Sequence, residues 1–390
     1  MSETRPPPLA LYVHWPYCAR VCPYCDFNVV RDRGQAEQAA LAEAIIRDLQ
    51  GQAALTGPRR LVSIFLGGGT PSLMRPDWAA RIIEAARALW TPAERVEITL
   101  EANPTDAETG RFAAFAEAGV NRLSLGVQSF DDKALRFLGR NHGADEARRA
   151  AGLARDRFEQ LSLDLIYALP GQTPDAWTAQ IDAALGYAPD HVSPYQLTIE
   201  PGTAFGRAAE RGTLKLTSED VGADLYELTQ VRLSAAGFEA YEVSNHARGA
   251  RARSRHNLAY WRGEDYVGAG PGAHGRLTIA GVRLATEAAR AVKDYIAAVD
   301  RAGTGFAARE ALSPRETALE RLLMGLRTCE GVAWIDLAPL GLSGGSSGVQ
   351  DLAEQGLLKA DAARLTATAS GRPVLDGVIR QLAEAEPAHG

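Results

Sequence analysis

The sequence predicts an α/β protein: a partial (β/α)6, TIM-like barrel over residues 1–240, a connecting segment over 241–310, and a smaller C-terminal helical or winged-helix-like domain over 311–390. Three observations carry this. Short apolar runs rich in β-branched residues alternate with longer segments of helical spacing, which implies a parallel sheet covered by helices. Six such units occur, fewer than the eight of a closed barrel. Cysteines, glycines, amides and carboxylates fall at or just after the apolar runs, the end of the strands at which barrel enzymes carry their chemistry.

The six runs that read as buried strands are Leu9–Trp15, Leu61–Leu66, Val96–Leu100, Arg122–Val127, Gln160–Leu165 and His191–Ile199. Between them, Gln35–Gln50, Asp77–Trp90, Asp106–Ala118, Asp145–Arg155 and Pro174–Leu185 are spaced as helices. A cysteine cluster follows the first run, Gly67-Gly68-Gly69-Thr70-Pro71 the second, Glu101-Ala102-Asn103-Pro104 the third and Gln128-Ser129-Phe130 the fourth, while Asp164 lies in the fifth. A long helix is expected over Ser218–Ala236, after which the pattern loosens around Tyr241–Gly275. From Ser313 to about Leu382 two or three short helices are expected, with a Gly/Ser-rich tip at Gly341–Gly348 and a final amphipathic helix Val374–Leu382. No repeat of fixed period is visible, which argues against a solenoid.

Composition narrows the class. The 390 residues are 46% hydrophobic and 23% charged, with 42 basic against 48 acidic side chains and a net charge of −6. That is ordinary for a globular protein and unlike one that coats nucleic acid. The stretch Met1–Pro8 lacks the basic, apolar, small-residue order of a secretory signal, and no run approaches the roughly 18 apolar residues that span a bilayer. The expectation is a cytoplasmic protein with reduced thiols, peripheral membrane contact being left open.

Three of the four cysteines, Cys18, Cys22 and Cys25, are spaced C-x3-C-x2-C. A disulfide framework does not suit an odd number of thiols in a reducing compartment. Structural zinc closes with four ligands. The remaining Cys329 is distant and reads as a small buried hydrophobe in a helix, although His14 could complete a set. A four-iron cluster explains the count better, because three thiolates leave one iron open for a ligand. Pro23 and Tyr24 would stiffen and shield such a loop.

The cysteine loop after the first strand, followed by a glycine-rich turn after the second, resembles the radical S-adenosylmethionine (SAM) enzymes. That resemblance implies that SAM chelates the open iron of a [4Fe-4S] cluster through its amino and carboxylate groups. An electron from the cluster then cleaves SAM to methionine and a 5′-deoxyadenosyl radical. Gly67–Thr70 reads either as a turn needing positive φ or as backbone brought close to a charged ligand; without G-x4-G-K-[ST] it is no nucleotide-triphosphate loop. Glu101 at a strand end would be costly to bury unpaired.

The strings L-E-A-N-P, G-V-Q-S-F, L-G-R-N-H and L-D-L-I-Y-A-L-P-G-Q-T resemble the branch containing oxygen-independent coproporphyrinogen III oxidase and the haem chaperone HemW. The resemblance runs from about Tyr12 to Gly275 and weakly through the C-terminal domain. It implies that Tyr12, Tyr24, Gly68 and Glu101 contact the cluster-bound SAM. It also matches Gly69, Thr70, Gln128, Arg140, Asp164 and Thr198 to a second ligand site of the oxidase.

Within that branch, the oxidase carries a further cysteine two places after the third, where this chain has Phe27, and an extended segment ahead of the cluster, where only 17 residues precede Cys18. The stretch His256-Asn257-Leu258-Ala259-Tyr260-Trp261 matches the H-N-x-x-Y-W pattern of the chaperones. Imidazole is a standard axial ligand of haem iron, and flat aromatic rings suit a porphyrin face. A packed segment is the plain alternative. Arg251, Arg253 and Arg255 could pair with haem propionates or form a solvated basic loop, and His14, His246 and His274 read as local hydrogen-bonders. The resemblance thus implies a haem chaperone that delivers haem to apo-haemoproteins such as those of the respiratory chain. Transfer would be gated by the cluster and SAM, with a homodimer as one route. Radical decarboxylation of coproporphyrinogen III is the enzymatic alternative, and a radical SAM modification of an unknown substrate is the third.

Overall fold

The computed structural model describes residues 6–32 and 34–384, so the reading of the segment 1–5 lies outside the described residues. Six parallel strands are hydrogen-bonded in sequence order: β1 (Pro8–Trp15), β2 (Arg60–Gly68), β3 (Thr91–Ala102), β4 (Arg122–Gln128), β5 (Gln160–Tyr167) and β6 (His191–Gln196). Their central residues are buried on both faces, for example Leu9, Leu11 and Val13 in β1 and Leu161, Leu163 and Leu165 in β5. This is why they read as continuous apolar runs rather than alternating ones. Register places Tyr12 beside Phe65 and His14 beside Gly67 across β1 and β2.

The sheet extends beyond the six expected strands. A seventh, β7 (Tyr266–Ala269), lies parallel to β1 on its other side, pairing Leu11 with Val267. Three antiparallel strands continue outward from it: β8 (His274–Ile279), β9 (Val282–Ala288) and β10 (Phe306–Ala311). At the far edge the short strands Glu239–Ala240 and His246–Ala247 add to β6, giving an open, mixed sheet of twelve strands among the described residues.

Five long helices pack against this sheet region: α1 (Gln35–Thr56), α2 (Pro76–Leu89), α3 (Ala144–Arg157), α4 (Pro174–Leu185) and α5 (Glu219–Ala235). Local signals set their ends. Pro174 starts α4 behind a Thr173 cap that accepts from Ala176 N, and Ser218 caps α5 by accepting from Val221 N. The helix expected over Asp106–Ala118 is broken into Asp106–Thr109 and Phe112–Glu117, the break falling at Gly110 and Arg111, where glycine weakens a helix interior.

Beyond β7, α6 (Arg255–Trp261) precedes it in the chain, and α7 (Val292–Ala302), α8 (Pro314–Gly325), α9 (Ser347–Glu354) and α10 (Leu375–Glu384) follow. The last three helices surround a separate apolar cluster that includes Leu322, Leu326, Val349 and Val378. A three-stranded antiparallel sheet, Val332–Ala333, Arg364–Ala367 and Leu358–Ala360, completes this C-terminal unit. Cys329 corrects the sequence expectation: it lies in the turn after α8 and is exposed. No helix among the described residues is long and apolar enough to cross a membrane.

A buried carboxylate fastens α1 to the seam beside β7. Asp48 accepts from the Tyr295 hydroxyl at 2.7 Å, from Gly305 N at 3.0 Å and from Gln52 Nε2 at 3.1 Å, and Gln52 also donates to Gly268 O at 2.9 Å. Burial pushes the Asp48 carboxyl up from 3.8 to about 6, against the lowering effect of those three donors. Its folded-state value therefore lies above the unfolded one. The folded state holds the extra proton between the two values, so this contribution is fully present below about pH 4 and is lost as pH rises through about 6. Asp48→Asn keeps the acceptor for Gly305 and removes the titration. Urea unfolding of both proteins between pH 4 and 7 should show the wild type losing up to about 3 kcal/mol relative to the variant. A difference independent of pH would contradict the assignment.

Candidate functional site

The carboxyl ends of the parallel strands open into a cavity of about 590 Å³. Cys18, Cys22 and Cys25 line it, together with Tyr24, Gly68, Gly69, Thr70, Glu101, Gln128, Arg140, Asp164 and Thr198. Residues from five of the six strands, β2 to β6, and the cysteine loop thus converge on one space. Tyr12 does not line it: the residue is half-buried, and its hydroxyl donates to His14 Nδ1 at 2.9 Å.

Each contributor is held by backbone geometry. Gly68 has a φ of 114°, and a Cβ there would stand 2.6 Å from the His14 ring. Only glycine fits this approach, which frees Gly68 N to donate to Glu101 Oε2 at 3.0 Å. Gln128, at the end of β4, has a φ of 63°, a left-handed conformation that costs a non-glycine residue roughly 1 kcal/mol. Strain of this kind collects at functional sites.

The thiols sit in a mostly enclosed, cationic setting. Burial pushes the Cys18 thiol up to about 11, opposed by the Thr70 hydroxyl, which lies 3.6 Å from its sulfur. Burial likewise raises Cys25. Arg140 counters this by reaching Cys22 Sγ at 3.5 Å and the Tyr24 hydroxyl at 3.4 Å. A bound metal deprotonates such thiols outright. Among the described residues no three His, Cys, Asp or Glu side chains are gathered tightly enough to hold one metal ion. Three cysteines on one cavity wall are a donor set that suits an iron–sulfur cluster with one open iron.

Two carboxylates face the same space. Burial pushes Glu101 up to about 8, relieved by the Gly68 N–H and reinforced by the charge of Asp164. Burial also raises Asp164, whose oxygens accept from Ser124 Oγ at 2.8 Å and Ser162 Oγ at 3.3 Å. Groups that resist ionisation in isolation become strong acceptors once a cation enters beside them. The glycine-rich backbone, a glutamate at the end of β3 and an aspartate in β5 can together hold a ligand carrying an ammonium, a carboxylate and hydroxyls.

Asn103 is a site residue that sequence reasoning missed. Its Nδ2 donates to Thr70 Oγ1 at 3.2 Å, and its Oδ1 accepts from Arg140 Nη2, so it joins the glycine-rich turn to the arginine. Its signal lay in the string L-E-A-N-P, where the amide follows the glutamate by two places. Asn28, in the same loop but outside the cavity lining, was also missed: its amide donates to Pro271 O and Arg290 O, both at 2.9 Å.

Of the stretch 256–261, Asn257 alone lines the cavity of the cysteines. His256 is 1% exposed, stacks on Phe65 at 4.8 Å and meets Tyr260 edge-on at 4.6 Å. Its Nδ1 lies 3.3 Å from Ser63 Oγ, and its Nε2 has no hydrogen-bond partner in the protein. Burial lowers it to about 3, so the ring is neutral. Tyr260 and Trp261 line a different cavity. Arg253 pairs with Glu239 at 3.0 Å, Arg255 donates to Arg95 O, and Arg251 is exposed. His14 bonds Asn28 O at 2.8 Å, His246 bonds Gln230 Oε1 at 3.1 Å, and His274 is exposed.

The Radical SAM superfamily model matches residues 12–182 and the HemN C-terminal domain model residues 312–374. The chain is 42% identical over 386 residues to the bovine (Bos taurus) radical S-adenosyl methionine domain-containing protein 1, mitochondrial, covering 96% of this chain and 87% of that protein. It is 41% identical over 279 residues to the heme chaperone HemW of Escherichia coli strain K12, covering 71% and 72% respectively. Its fold is similar to that of the radical SAM enzyme coproporphyrinogen III oxidase (HemN) from Escherichia coli, with a TM-score of 0.80 over 98% of this chain and 92% of that one, at 23% identity. The chain belongs to the HemW-type, HemN-like family of radical SAM proteins.

Proposed function

We propose that this protein is a haem chaperone that binds haem, carries a [4Fe-4S] cluster with SAM, and delivers haem to apo-haemoproteins such as respiratory-chain cytochromes. The observation that carries the reading is Phe27. It lines the cluster cavity and is 60% exposed, at the place where the oxidase of this branch has a further cysteine. The cavity lining thereby carries an aromatic ring in place of the further thiol of the oxidase pattern. The heme chaperones among the relatives support the same reading.

Cys18, Cys22 and Cys25 would ligate the cluster. Tyr24, Gly68 and Glu101 would hold the methionyl part and ribose of SAM, with Tyr12 fixing the wall behind them. Gly69, Thr70, Gln128, Arg140 and Asp164 would line the remaining space. When bound, the cluster and SAM supply one-electron reductive chemistry. The protein's own groups exclude water, present acceptors through Glu101 and Asp164, and keep a cation beside the sulfur through Arg140. His256, Tyr260 and Trp261 serve haem binding, and a neutral His256 suits that role. Release to an acceptor requires reversible affinity, which the cluster site and self-association would gate.

Three measurements test this. Cys22→Ala should abolish the iron–sulfur absorbance of the reconstituted protein while haem affinity stays within about threefold of wild type; joint loss would show the two sites to be structurally coupled. Glu101→Gln retains the acceptor for Gly68 N but removes the charge. It should weaken SAM binding at least tenfold, read by calorimetry, with cluster content unchanged. Finally, the anaerobic, cluster-loaded protein should bind haem and transfer it to an apo-cytochrome, and should leave coproporphyrinogen III unconverted in the presence of SAM and reductant. Formation of protoporphyrinogen IX would establish the oxidase instead.

A further inference from the structure

The interior of a (β/α) barrel is ordinarily filled by layers of apolar side chains. Here three neighbouring strands line it with polar groups. Alternate residues of a strand share a face, so β4 turns Ser124 into the cavity, β5 turns Ser162 and Asp164, and β6 turns His191 and Ser193. His191 opens β6 and lies opposite Ser162 in the register with β5. It is 2% exposed, as is Ser162. A buried histidine inside the cavity wall has no part in holding the cluster or SAM, yet it is not a passive filler.

A line of hydrogen bonds runs through these groups, and its direction is fixed. The Tyr241 hydroxyl accepts from Ser254 N at 3.3 Å, and among the described residues the acceptor for its own proton is His191 Nε2 at 2.9 Å. Burial, Arg122 and His246 hold the His191 imidazole well below its ordinary value, so it is neutral. With Nε2 accepting, the ring carries its proton on Nδ1. Nδ1 then donates to Ser162 Oγ at 2.8 Å, which leaves the Ser162 proton for Asp164 Oδ1 at 3.3 Å. Ser124 donates to Asp164 Oδ2 at 2.8 Å. Ser193 Oγ lies 3.5 Å from His191 Nδ1 but gives its proton to Asn245 Oδ1 at 3.0 Å. Each donor in the line is polarised by the one behind it, and the line ends on the Asp164 carboxylate.

The surroundings of Asp164 oppose one another. Burial raises it, the serines and Arg122 of β4 lower it, and Glu101 of β3 stands nearby as a like charge. The phenol of Tyr195, on β6, also faces it. We propose that His191 is a positioning residue: through Ser162 it holds Asp164 as an oriented carboxylate, so that a ligand bringing a cationic group into the cavity meets a fixed negative charge halfway along β5. This rests on the reading that SAM, which carries a sulfonium and an ammonium, occupies the cavity. It adds the residue that sets the charge of one of the acceptors.

The test reads the ionisation of Asp164 itself, in the full-length, cluster-loaded protein, as the infrared carbonyl band that Asp164→Asn removes. Loss of a donor disfavours the charged form, so the pH at which this band appears should rise by about one unit in His191→Phe and in Ser162→Ala. His191→Asn, whose side-chain amide can donate in place of Nδ1, should restore a midpoint close to that of the wild type. Ser162→Ala removes a single oxygen, so the comparison survives if the larger substitution fails to fold. Calorimetry with SAM halfway between the two midpoints should follow the same order, with Ser162→Ala and His191→Phe weaker by about threefold, the ratio of ionised fractions at that pH. An unmoved midpoint in both variants, with SAM binding weakened equally at every pH, would show a structural role only and overturn the assignment. So would a rise in His191→Asn as large as that in His191→Phe. A wild type that shows the infrared titration and binds no SAM would instead remove the SAM reading and leave the positioning of Asp164 in place.

Discussion

The cysteine loop depends on one buried cation. Arg140 reaches Cys22 and Tyr24 with one terminal nitrogen, and Asn103 and Gly126 O with the other. Burial alone would push it down, but the negative charge that Tyr24 and Cys22 can carry outweighs this and holds it above its ordinary value. Among the described residues no carboxylate lies within ion-pair distance of it, so its charge is balanced by sulfur, a phenol and carbonyl dipoles. A guanidinium removed from water without a carboxylate is expensive unless an anion arrives. Thiolate formation at the loop supplies that anion, and the arginine in turn makes thiolates easier to form. Arg140 thus selects an anionic, sulfur-rich occupant for this end of the sheet and ties the loop to β4.

The other end of the same loop is pinned to the seam beside β1. Asn28 O accepts from His14 Nε2, which fixes the proton on that nitrogen and leaves Nδ1 to accept from the Tyr12 hydroxyl. The Asn28 amide then reaches Pro271 O and Arg290 O. Three segments far apart in sequence meet through two side chains. The chain beyond the sixth strand is therefore part of the site's architecture rather than an appendage. Without β7 and the turn after it, the loop would lose its Asn28 anchor and keep those at Arg140, Thr70 and Phe205 N, which donates to Pro23 O at 2.9 Å.

This explains what the sequence revealed and what it hid. The six central strands were legible because parallel strands buried on both faces leave unbroken apolar runs, as in Leu9–Val13. The cysteines, Gly68 and Glu101 were legible because each breaks such a run at its end. β7 was not: four residues are too few to show a period, and the neighbouring α6 spans two turns. The amides Asn28 and Asn103 act by joining distant segments, which no local pattern announces. The stretch 256–261 misled in another way. Adjacency in sequence suggested one site, but helical pitch puts His256 and Tyr260 on one face, four residues apart, and turns Trp261 roughly 100° from Tyr260.

The same short helix connects the two cavities. Ser254, which caps α6, and Asn257 in its first turn line the cluster cavity, while Tyr260 and Trp261 in its last turn line the other cavity. Between them His256 is wedged against Phe65 of β2, in an interior too densely packed to absorb a shift at one end alone. A ligand at either cavity would bias the other only in so far as it favoured one placement of α6 over another. Linkage makes that bias reciprocal. A helix with one end in each cavity needs no direct contact between bound groups to carry such a bias.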